Sequence, residues 1–123
     1  MKHCLIVDDS RVVRSVAKKI VQDLGFQTSE AENGFVAFTN CQASMPDVIL
    51  LDWNMPEQSG IEFLRDLRKS PDGNKPIVIF CTTENDLNFI VEALESGANE
   101  YIMKPFDLEI VKTKFKQVGL LPS

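Results

Sequence analysis

The sequence predicts an α/β protein in which a doubly wound (βα)5 chain forms a five-stranded parallel sheet with helices on both faces. Short apolar runs rich in β-branched residues alternate five times with longer segments whose apolar residues recur at helical spacing. Two of the runs, 48–51 and 76–81, are continuously apolar, which is typical of strands buried on both faces. Because parallel strands need crossover connections, the intervening helices must cover the sheet.

The predicted elements are short and regularly spaced. In chain order, the five strands cover 4–7, 26–31, 48–51, 76–81 and 101–103, and the second strand is the most polar. The five helices are marked by apolar residues three or four positions apart, within 13–24, 36–41, 61–67, 87–94 and 108–115. This arrangement predicts one domain covering residues 1–123.

Capping and turn residues separate these elements. Ser10 is a favourable N-cap for the first helix, and Gly25 is a favourable residue to end it. Asn33 with Gly34 indicates a turn before the second helix, and Gly97 follows the end of the fourth helix.

The composition excludes several classes of protein. The chain has 13 Lys and Arg against 18 Asp and Glu, which gives a net charge of −5, and 44% of its residues are hydrophobic. A disordered chain would be poorer in apolar residues, and a non-specific nucleic-acid binder would be basic. No apolar run approaches the length of a membrane span or a secretory signal, so we expect a cytoplasmic protein.

The cysteines do not indicate a zinc site or a disulfide framework. Cys4, Cys41 and Cys81 are odd in number and widely spaced, and His3 is the single histidine. We therefore expect three reduced, buried thiols.

Polar side chains follow four of the five predicted strands, at the point where each strand ends. They are Asp8 with Asp9, Asp52, Thr82 and Lys104. Because ligands of open parallel sheets bind at the carboxyl ends of the strands, we expect these side chains to meet at one edge. Each of these groups alone could be an ordinary helix cap or turn residue. To explain all of them in this way, four independent coincidences at four strand ends would be needed.

Three converging carboxylates repel one another and require nearby positive charge. Lys104 supplies one positive charge, and a divalent cation would supply more. Carboxylate oxygens without Cys or His ligands favour Mg²⁺, whose shell is commonly completed by water and a phosphoryl oxygen. Together with the Thr82 hydroxyl, this set of groups is what phosphoryl transfer requires.

In their order along the chain, these motifs resemble the receiver domains of bacterial two-component signalling, the response-regulator family. The matching segments span the chain and are VDDS at 7–10, LDWNMP at 51–56 with Gly60, Thr82, GA at 97–98 and YIMKPF at 101–106. The likeness is greatest to single-domain chemotaxis regulators. It implies a flavodoxin-like fold with strand order 2-1-3-4-5, an order for which this family is itself a known example.

The resemblance implies a role for each residue that matches a motif. Asp52 would be the phosphoacceptor and would take its phosphoryl group from a histidine kinase or a histidine phosphotransfer protein. Asp9, Asp52 and the backbone carbonyl of Asn54 would bind Mg²⁺, and Asp8 would act mainly through a water. Lys104 would pair first with Asp52 and then with the phosphoryl group.

The resemblance also implies a conformational switch. Thr82 would hydrogen-bond a phosphoryl oxygen and move inward, and Tyr101 would follow it from an exposed to a buried position. The peptide bond between Lys104 and Pro105 would be cis. Through these movements, the negative charge of the phosphoryl group would change the surface of the fourth helix, the fifth strand and the fifth helix.

Three further residues would tune the lifetime of the acyl phosphate. Asn54 and Glu84 would lie near the hydrolytic water. Thr83 departs from the family pattern, which has Ala or Gly at this position, and would narrow access to the acceptor. Trp53 lies next to the acceptor in the chain and would report metal and phosphoryl binding by fluorescence.

We therefore expect a monomeric, stand-alone regulator without enzymatic activity beyond its own phosphorylation and dephosphorylation. It would signal by phosphorylation-dependent binding to a downstream protein, without nucleic-acid binding or membrane insertion. Chemotaxis is the favoured pathway, and a phosphate carrier in a phosphorelay or cell-cycle pathway is the alternative. Relay partners would contact the first helix near Arg11, Val12 and Ser15.

Three other interpretations are less favoured. A Mg²⁺-dependent phosphatase of the haloacid dehalogenase type would have its nucleophile after the first strand, in an Asp-x-Asp pattern that this chain lacks. A degenerate receiver acting as a binding module would lack some of the site residues. A fragment of a longer regulator stays open, because 119–123 fit either a terminus or a linker.

Overall fold

In the computed structural model, which describes residues 2–53, 55, 58–83 and 87–122, a five-stranded sheet lies between two layers of helices. The strands are β1 (His3–Val7), β2 (Gln27–Ala31), β3 (Val48–Asp52), β4 (Ile77–Thr82) and β5 (Glu100–Met103). Every pairing is parallel, and the order across the sheet is β2-β1-β3-β4-β5. The predicted α/β class and the flavodoxin-like strand order are therefore confirmed.

A helix follows each strand along the chain. The helices are α1 (Arg11–Asp23), α2 (Gly34–Ala43), α3 (Gly60–Lys69), α4 (Leu87–Glu95) and α5 (Leu108–Gln117). Within the described residues, none of these helices is long and apolar enough to cross a membrane.

Side-chain caps determine where several helices begin. The Ser10 hydroxyl accepts a hydrogen bond from the first turn of α1 at 3.2 Å, so the predicted N-cap is confirmed. Asn33 is the N-cap of α2 and does not belong to a separate turn, because its side chain accepts a backbone N–H of that helix at 2.9 Å. At α3, Ser59 and Glu62 form a reciprocal capping box, which was not predicted.

The sheet separates two hydrophobic cores. On one face the strands pack against α2, α3 and α4 around Phe63 and Phe80, which are among the largest fully buried side chains. On the other face they pack against α1 and α5, where the rings of Phe26 and Phe115 meet with centroids 5.2 Å apart. Phe26 was predicted to begin the second strand, but it precedes β2 and fills this second core.

The central strand β3 positions the phosphoacceptor candidate. All five residues of β3 are buried, because β1 and β4 pair with its two edges and helices cover both faces. Asp52 is the last residue of this strand, so its carboxylate extends from one of the most constrained elements of the fold.

Candidate functional site

The polar residues at the strand ends lie at one edge of the sheet. Asp52 ends β3, and Thr82 ends β4 in register with the last residue of β5. Asp8 and Lys104 directly follow β1 and β5. These four side chains therefore converge, as expected for the carboxyl ends of parallel strands.

Lys104 bridges two buried carboxylates. Its Nζ donates a hydrogen bond to Asp8 Oδ2 at 2.8 Å and another to Asp52 Oδ1 at 2.9 Å. The side chains of Asp8 and Asp52 are only 5% and 8% exposed, so their charges depend on this ammonium more than on bulk water. Pairing of Lys104 with Asp52 was expected, whereas the equally short contact with Asp8 was not.

Burial controls the ionisation of this cluster. Burial raises the pKa of Asp52, against an opposing hydrogen bond from Lys104 and with a further rise from the Asp8 carboxylate. Burial lowers the pKa of Lys104, but its hydrogen bonds to Asp8 and Asp52 outweigh this effect and the net direction is upward. Lys104 is thus held as an ammonium, whereas the negative charge of Asp52 is destabilised by its surroundings.

Asp8 is held in place by the protein around it. Its Oδ1 accepts the backbone N–H of Ser10 at 2.9 Å, and its carbonyl oxygen accepts Nη1 of Arg14 at 2.6 Å. Since its Oδ2 accepts Lys104, both carboxylate oxygens of Asp8 already have partners. Asp9, by contrast, is exposed. The difference agrees with an indirect role for Asp8 toward a metal ion, which stays a prediction.

The acidic residues form a cluster that can hold a metal ion. One carboxylate oxygen from each of Asp8, Asp9 and Asp52 lies within 4.8 Å of the others. These donors are hard oxygens of the type that Mg²⁺ prefers. Cys81 lies next to Asp52 in the sheet, but burial raises the pKa of its thiol to about 12, so it offers no thiolate to a softer metal.

Gly60 allows the first turn of α3 to approach the end of β3. A Cβ at this position would overlap the backbone carbonyl oxygen of Asp52 and would lie 2.9 Å from Cε1 of Phe80. The backbone N–H of Gly60 also donates to the carbonyl of Trp53 at 3.1 Å. The close approach therefore fixes the chain immediately after Asp52.

Lys104 also ties β5 to the end of β4. Its backbone N–H donates to the carbonyl oxygen of Thr82 at 2.8 Å, and its peptide bond to Pro105 is cis, as the resemblance implied. Thr82 is buried, whereas Thr83 is exposed at the opening of the site.

A cleft of about 470 Å³ opens beside Asp52. It is lined by residues from four strand ends and one helix, namely Asp9, Asp52, Trp53, Thr82, Thr83, Phe89 and Lys104. The ring of Trp53 packs 5.4 Å from that of Phe80 and 4.6 Å from that of Phe89. Phe89 was not predicted as a site residue, because its approach to Trp53 depends on how α4 packs and has no local sequence signal.

Tyr101 is half-buried against the core and does not line the cleft. Lys114 Nζ lies 4.7 Å from the centroid of its ring and 3.2 Å from a carboxylate oxygen of Glu100. The expected movement of Tyr101 stays a prediction.

Asn54 and Glu84, which were predicted to tune the phosphoryl lifetime, lie outside the described residues.

Comparisons with known proteins agree with this geometry. The family model described as the response regulator receiver domain matches residues 4–116. Chemotaxis protein CheY of Pseudomonas aeruginosa is 36% identical over 115 residues, which cover 93% of each chain. Chemotaxis protein CheY1 of Helicobacter pylori is 34% identical over 116 residues, which cover 93% of this chain and 94% of that protein. The structure of chemotaxis protein CheY4 of Vibrio cholerae matches with a TM-score of 0.91 at 30% identity, covering 96% of this chain and 98% of that one.

Proposed function

Because the chain belongs to the response regulator receiver domain family, we propose that it is a stand-alone regulator that accepts a phosphoryl group on Asp52 from a partner histidine kinase. The observation that carries this proposal is the Lys104 bridge between Asp8 and Asp52 at an open cleft. Buried charges of this kind, with shifted ionisation, concentrate at functional sites. Relatives matched over nearly their whole length are named for chemotaxis, so chemotaxis is the pathway that we favour.

The metal ligands that we propose are Asp9, Asp52 and the backbone carbonyl of Asn54, with Asp8 acting through a water. Asp8, Asp9 and Asp52 fit Mg²⁺ because their oxygens lie within 4.8 Å of one another and because Asp9 is open to solvent. When bound, Mg²⁺ neutralises charge on the oxygens of the group being transferred.

The side chains of the cleft have separate roles in phosphoryl transfer. A carboxylate oxygen of Asp52 attacks the phosphorus, and the leaving imidazole nitrogen keeps the electron pair of the broken P–N bond. Lys104 transfers one hydrogen bond from Asp52 to a phosphoryl oxygen while its bond to Asp8 is kept. Thr82 donates its hydroxyl to another phosphoryl oxygen. The protein thus promotes only its own phosphorylation and dephosphorylation, and Asn54, Thr83 and Glu84 set the lifetime of the product.

Phosphorylation changes the protein surface through Thr82 and Tyr101. The phosphoryl group adds negative charge and strong acceptors, which draw the Thr82 hydroxyl inward. The half-buried ring of Tyr101 then moves into the space that Thr82 leaves. Lys114, which lies over that ring, is released by the same movement. A partner that prefers one of the two arrangements shifts the population between them.

Two surfaces would serve two kinds of partner. Arg11, Val12 and Ser15 are exposed on α1, and Val12 is 74% exposed, which supports docking of a histidine kinase or a histidine phosphotransfer protein there. Tyr101 and exposed apolar residues of α4 and α5, such as Val91 and Ile110, would meet the downstream protein target.

We propose that the protein acts as a cytoplasmic monomer, with no nucleic-acid partner and no membrane insertion.

A phosphate carrier in a phosphorelay or cell-cycle pathway is the second candidate function. It is favoured by the same exposed α1 surface, because a relay would use one surface both to receive and to pass on the phosphoryl group. A phosphatase of the haloacid dehalogenase type is disfavoured. Its nucleophile would follow β1, where both oxygens of Asp8 are already hydrogen-bonded.

The proposal is tested with beryllofluoride and Mg²⁺, a combination that mimics an aspartyl phosphate, while the emission of Trp53 is recorded. We expect a change in emission for the wild type and none for Asp52→Asn. An unresponsive wild type would contradict the entire site. A pull-down with and without beryllofluoride then separates the two pathways. Preferential capture of a flagellar motor protein with beryllofluoride indicates chemotaxis, whereas capture of a phosphotransfer protein without any motor protein indicates a relay.

A further inference from the structure

The cleft beside Asp52 has one apolar wall. Trp53 and Phe89 form this aromatic wall, with ring centroids 4.6 Å apart and ring planes at 86°. The other described residues that line the cleft carry charges or hydroxyl groups, and they are Asp9, Asp52, Thr82, Thr83 and Lys104. A donor that enters the cleft therefore meets the charged and hydroxyl groups and also the two aromatic side chains.

The two halves of the aromatic wall belong to different elements. Trp53 is fixed to the sheet, because its backbone N–H donates to Cys81 O at 3.2 Å and its ring packs 5.4 Å from that of buried Phe80. Phe89 belongs to the first turn of α4. The position of α4 therefore sets how much aromatic surface faces the acceptor.

Aromatic surface discriminates between classes of phosphoryl donor. The faces of aromatic rings carry negative electron density, which attracts cations and favours edge contacts with other planar rings. In a phosphoimidazole, the leaving group is a planar ring. While the ring is still bonded to phosphorus, it carries a positive charge if its second nitrogen is protonated. The leaving group of an acyl phosphate is a carboxylate, which the ring faces and the nearby Asp9 both repel.

We propose that Trp53 and Phe89 select the leaving group of the phosphoryl donor and favour an imidazole over a carboxylate. This selection rests on the proposed role of Asp52 as phosphoacceptor. In the favoured reaction an Asp52 oxygen bonds to phosphorus as the P–N bond breaks. The bonding electron pair stays on that nitrogen, and the ring leaves as neutral imidazole because its other nitrogen keeps its proton. With an acyl phosphate, a P–O bond breaks and a carboxylate anion leaves.

The test measures phosphorylation of the full chain in Mg²⁺ by phosphoimidazole and by acetyl phosphate, with the mass increase of the protein as the readout. Phe89→Leu and Phe89→Met keep an apolar side chain but remove the aromatic face, and Phe89→Tyr retains it. Leu94→Ala is the matched control, because Leu94 lies on the same helix, is 43% exposed and does not line the cleft.

We expect the ratio of the phosphoimidazole rate constant to the acetyl phosphate rate constant to fall about threefold to tenfold in Phe89→Leu and Phe89→Met. The ratio should keep its wild-type value in Phe89→Tyr and Leu94→Ala. An unchanged ratio, or an equal fall in both rate constants, overturns the selection while leaving Asp52 as the acceptor. A wild type that takes phosphate from neither donor overturns the proposed function, and the selection with it.

Discussion

The ammonium of Lys104 lies 2.8 Å from Asp8 Oδ2, in a contact that does not involve Asp52, the proposed phosphoacceptor. Asp8 is itself fixed, since its other oxygen accepts the backbone N–H of Ser10 at 2.9 Å. Asp52 is the second acceptor of Lys104, at 2.9 Å. If Asp52 accepts a phosphoryl group as proposed, Lys104 can release Asp52 for a phosphoryl oxygen without becoming a buried, unpaired cation.

Replacement of Lys104 by methionine should lower the free energy of unfolding of the metal-free protein by about 3 kcal/mol. The change leaves Asp8 and Asp52 buried, close together and without a cation. Urea unfolding in a chelator measures the loss, and Lys116→Met, at an exposed position of α5, is the control. Mg²⁺ should restore part of the stability, because it binds the folded carboxylates. A variant as stable as the wild type without metal would show that the bridge is not needed.

Asp52→Asn should raise the free energy of unfolding of the metal-free protein at pH 7. Burial raises the pKa of Asp52, so the folded protein binds this proton more tightly than the unfolded chain does. The protonated Asp52 carboxyl therefore stabilises the folded protein. This contribution to the free energy of unfolding is fully present below the ordinary pKa of 3.8 and is lost as the pH rises through the folded-state pKa. Asparagine avoids that loss and still offers Lys104 an oxygen.

Urea unfolding from pH 4 to pH 7 in a chelator measures this difference. The advantage of Asp52→Asn over the wild type should grow with pH and should nearly vanish at the acidic end. Asp23→Asn changes an exposed carboxylate and should show no such pH dependence. A difference between Asp52→Asn and the wild type that stays constant across this range would contradict the effect of burial on Asp52.

The strands and helices could be predicted because their signals are local. The continuous apolar run at 48–51 became β3, which is buried on both faces. The second strand was placed less well, because β2 is a polar edge strand and Phe26 belongs to the core between the sheet and α5. The strand order did not follow from any local pattern and came from the family resemblance.

The site was predictable only as far as topology determines it. Parallel strands end at one edge, so the convergence of Asp8, Asp52 and Lys104 followed from the order of the elements. The contact between Lys104 and Asp8 depends on which carboxylates the lysine side chain can reach. The approach of Phe89 to Trp53 depends on the packing of α4. Neither contact could be predicted from the spacing of these residues along the sequence.

Gly60→Ala should destabilise the protein by about 3 kcal/mol. Its Cβ would meet the carbonyl oxygen of Asp52 and the ring of Phe80, and both are held by the sheet and the core. Gly25→Ala is the control, because φ is +93° there and no atom lies within 4 Å of the added Cβ. It should cost only about 1 kcal/mol of backbone strain. Urea unfolding compares the two, and equal losses would contradict the tight contact at Gly60.

Thr83→Ala should speed phosphorylation by acetyl phosphate about threefold, a small change in the activation barrier. Thr83 is exposed and lines the cleft, so we expect its side chain to narrow the approach to Asp52. The initial rate of mass increase in Mg²⁺ gives the comparison. Thr39→Ala, at an exposed position of α2, should leave the rate unchanged. Equal rates for the wild type and Thr83→Ala would mean that Thr83 does not restrict access.

Arg68 joins three segments at the edge of the sheet opposite to the cleft. Its guanidinium donates twice to the carbonyl oxygen of Gly97, at 2.7 and 3.1 Å, and once each to the carbonyls of Gly73 and Pro76, at 2.8 and 2.9 Å. It also donates to Asn99 Oδ1 at 3.1 Å. The planar fork of Arg68 thereby connects the end of α3 to the segments that lead into β4 and β5.

Arg68→Lys should lower the free energy of unfolding by about 2 to 3 kcal/mol while leaving the Trp53 response to beryllofluoride intact. Lysine keeps the charge but cannot reproduce the fork, so several partly buried carbonyls lose their donors. Arg65→Lys on the same helix should cost little, because Arg65 makes an exposed ion pair with Glu92 at 3.7 Å. Urea unfolding and fluorescence titration test the two effects separately. Equal stability of the two variants would contradict the structural role of Arg68, and a lost Trp53 response would show that the two edges of the sheet are coupled.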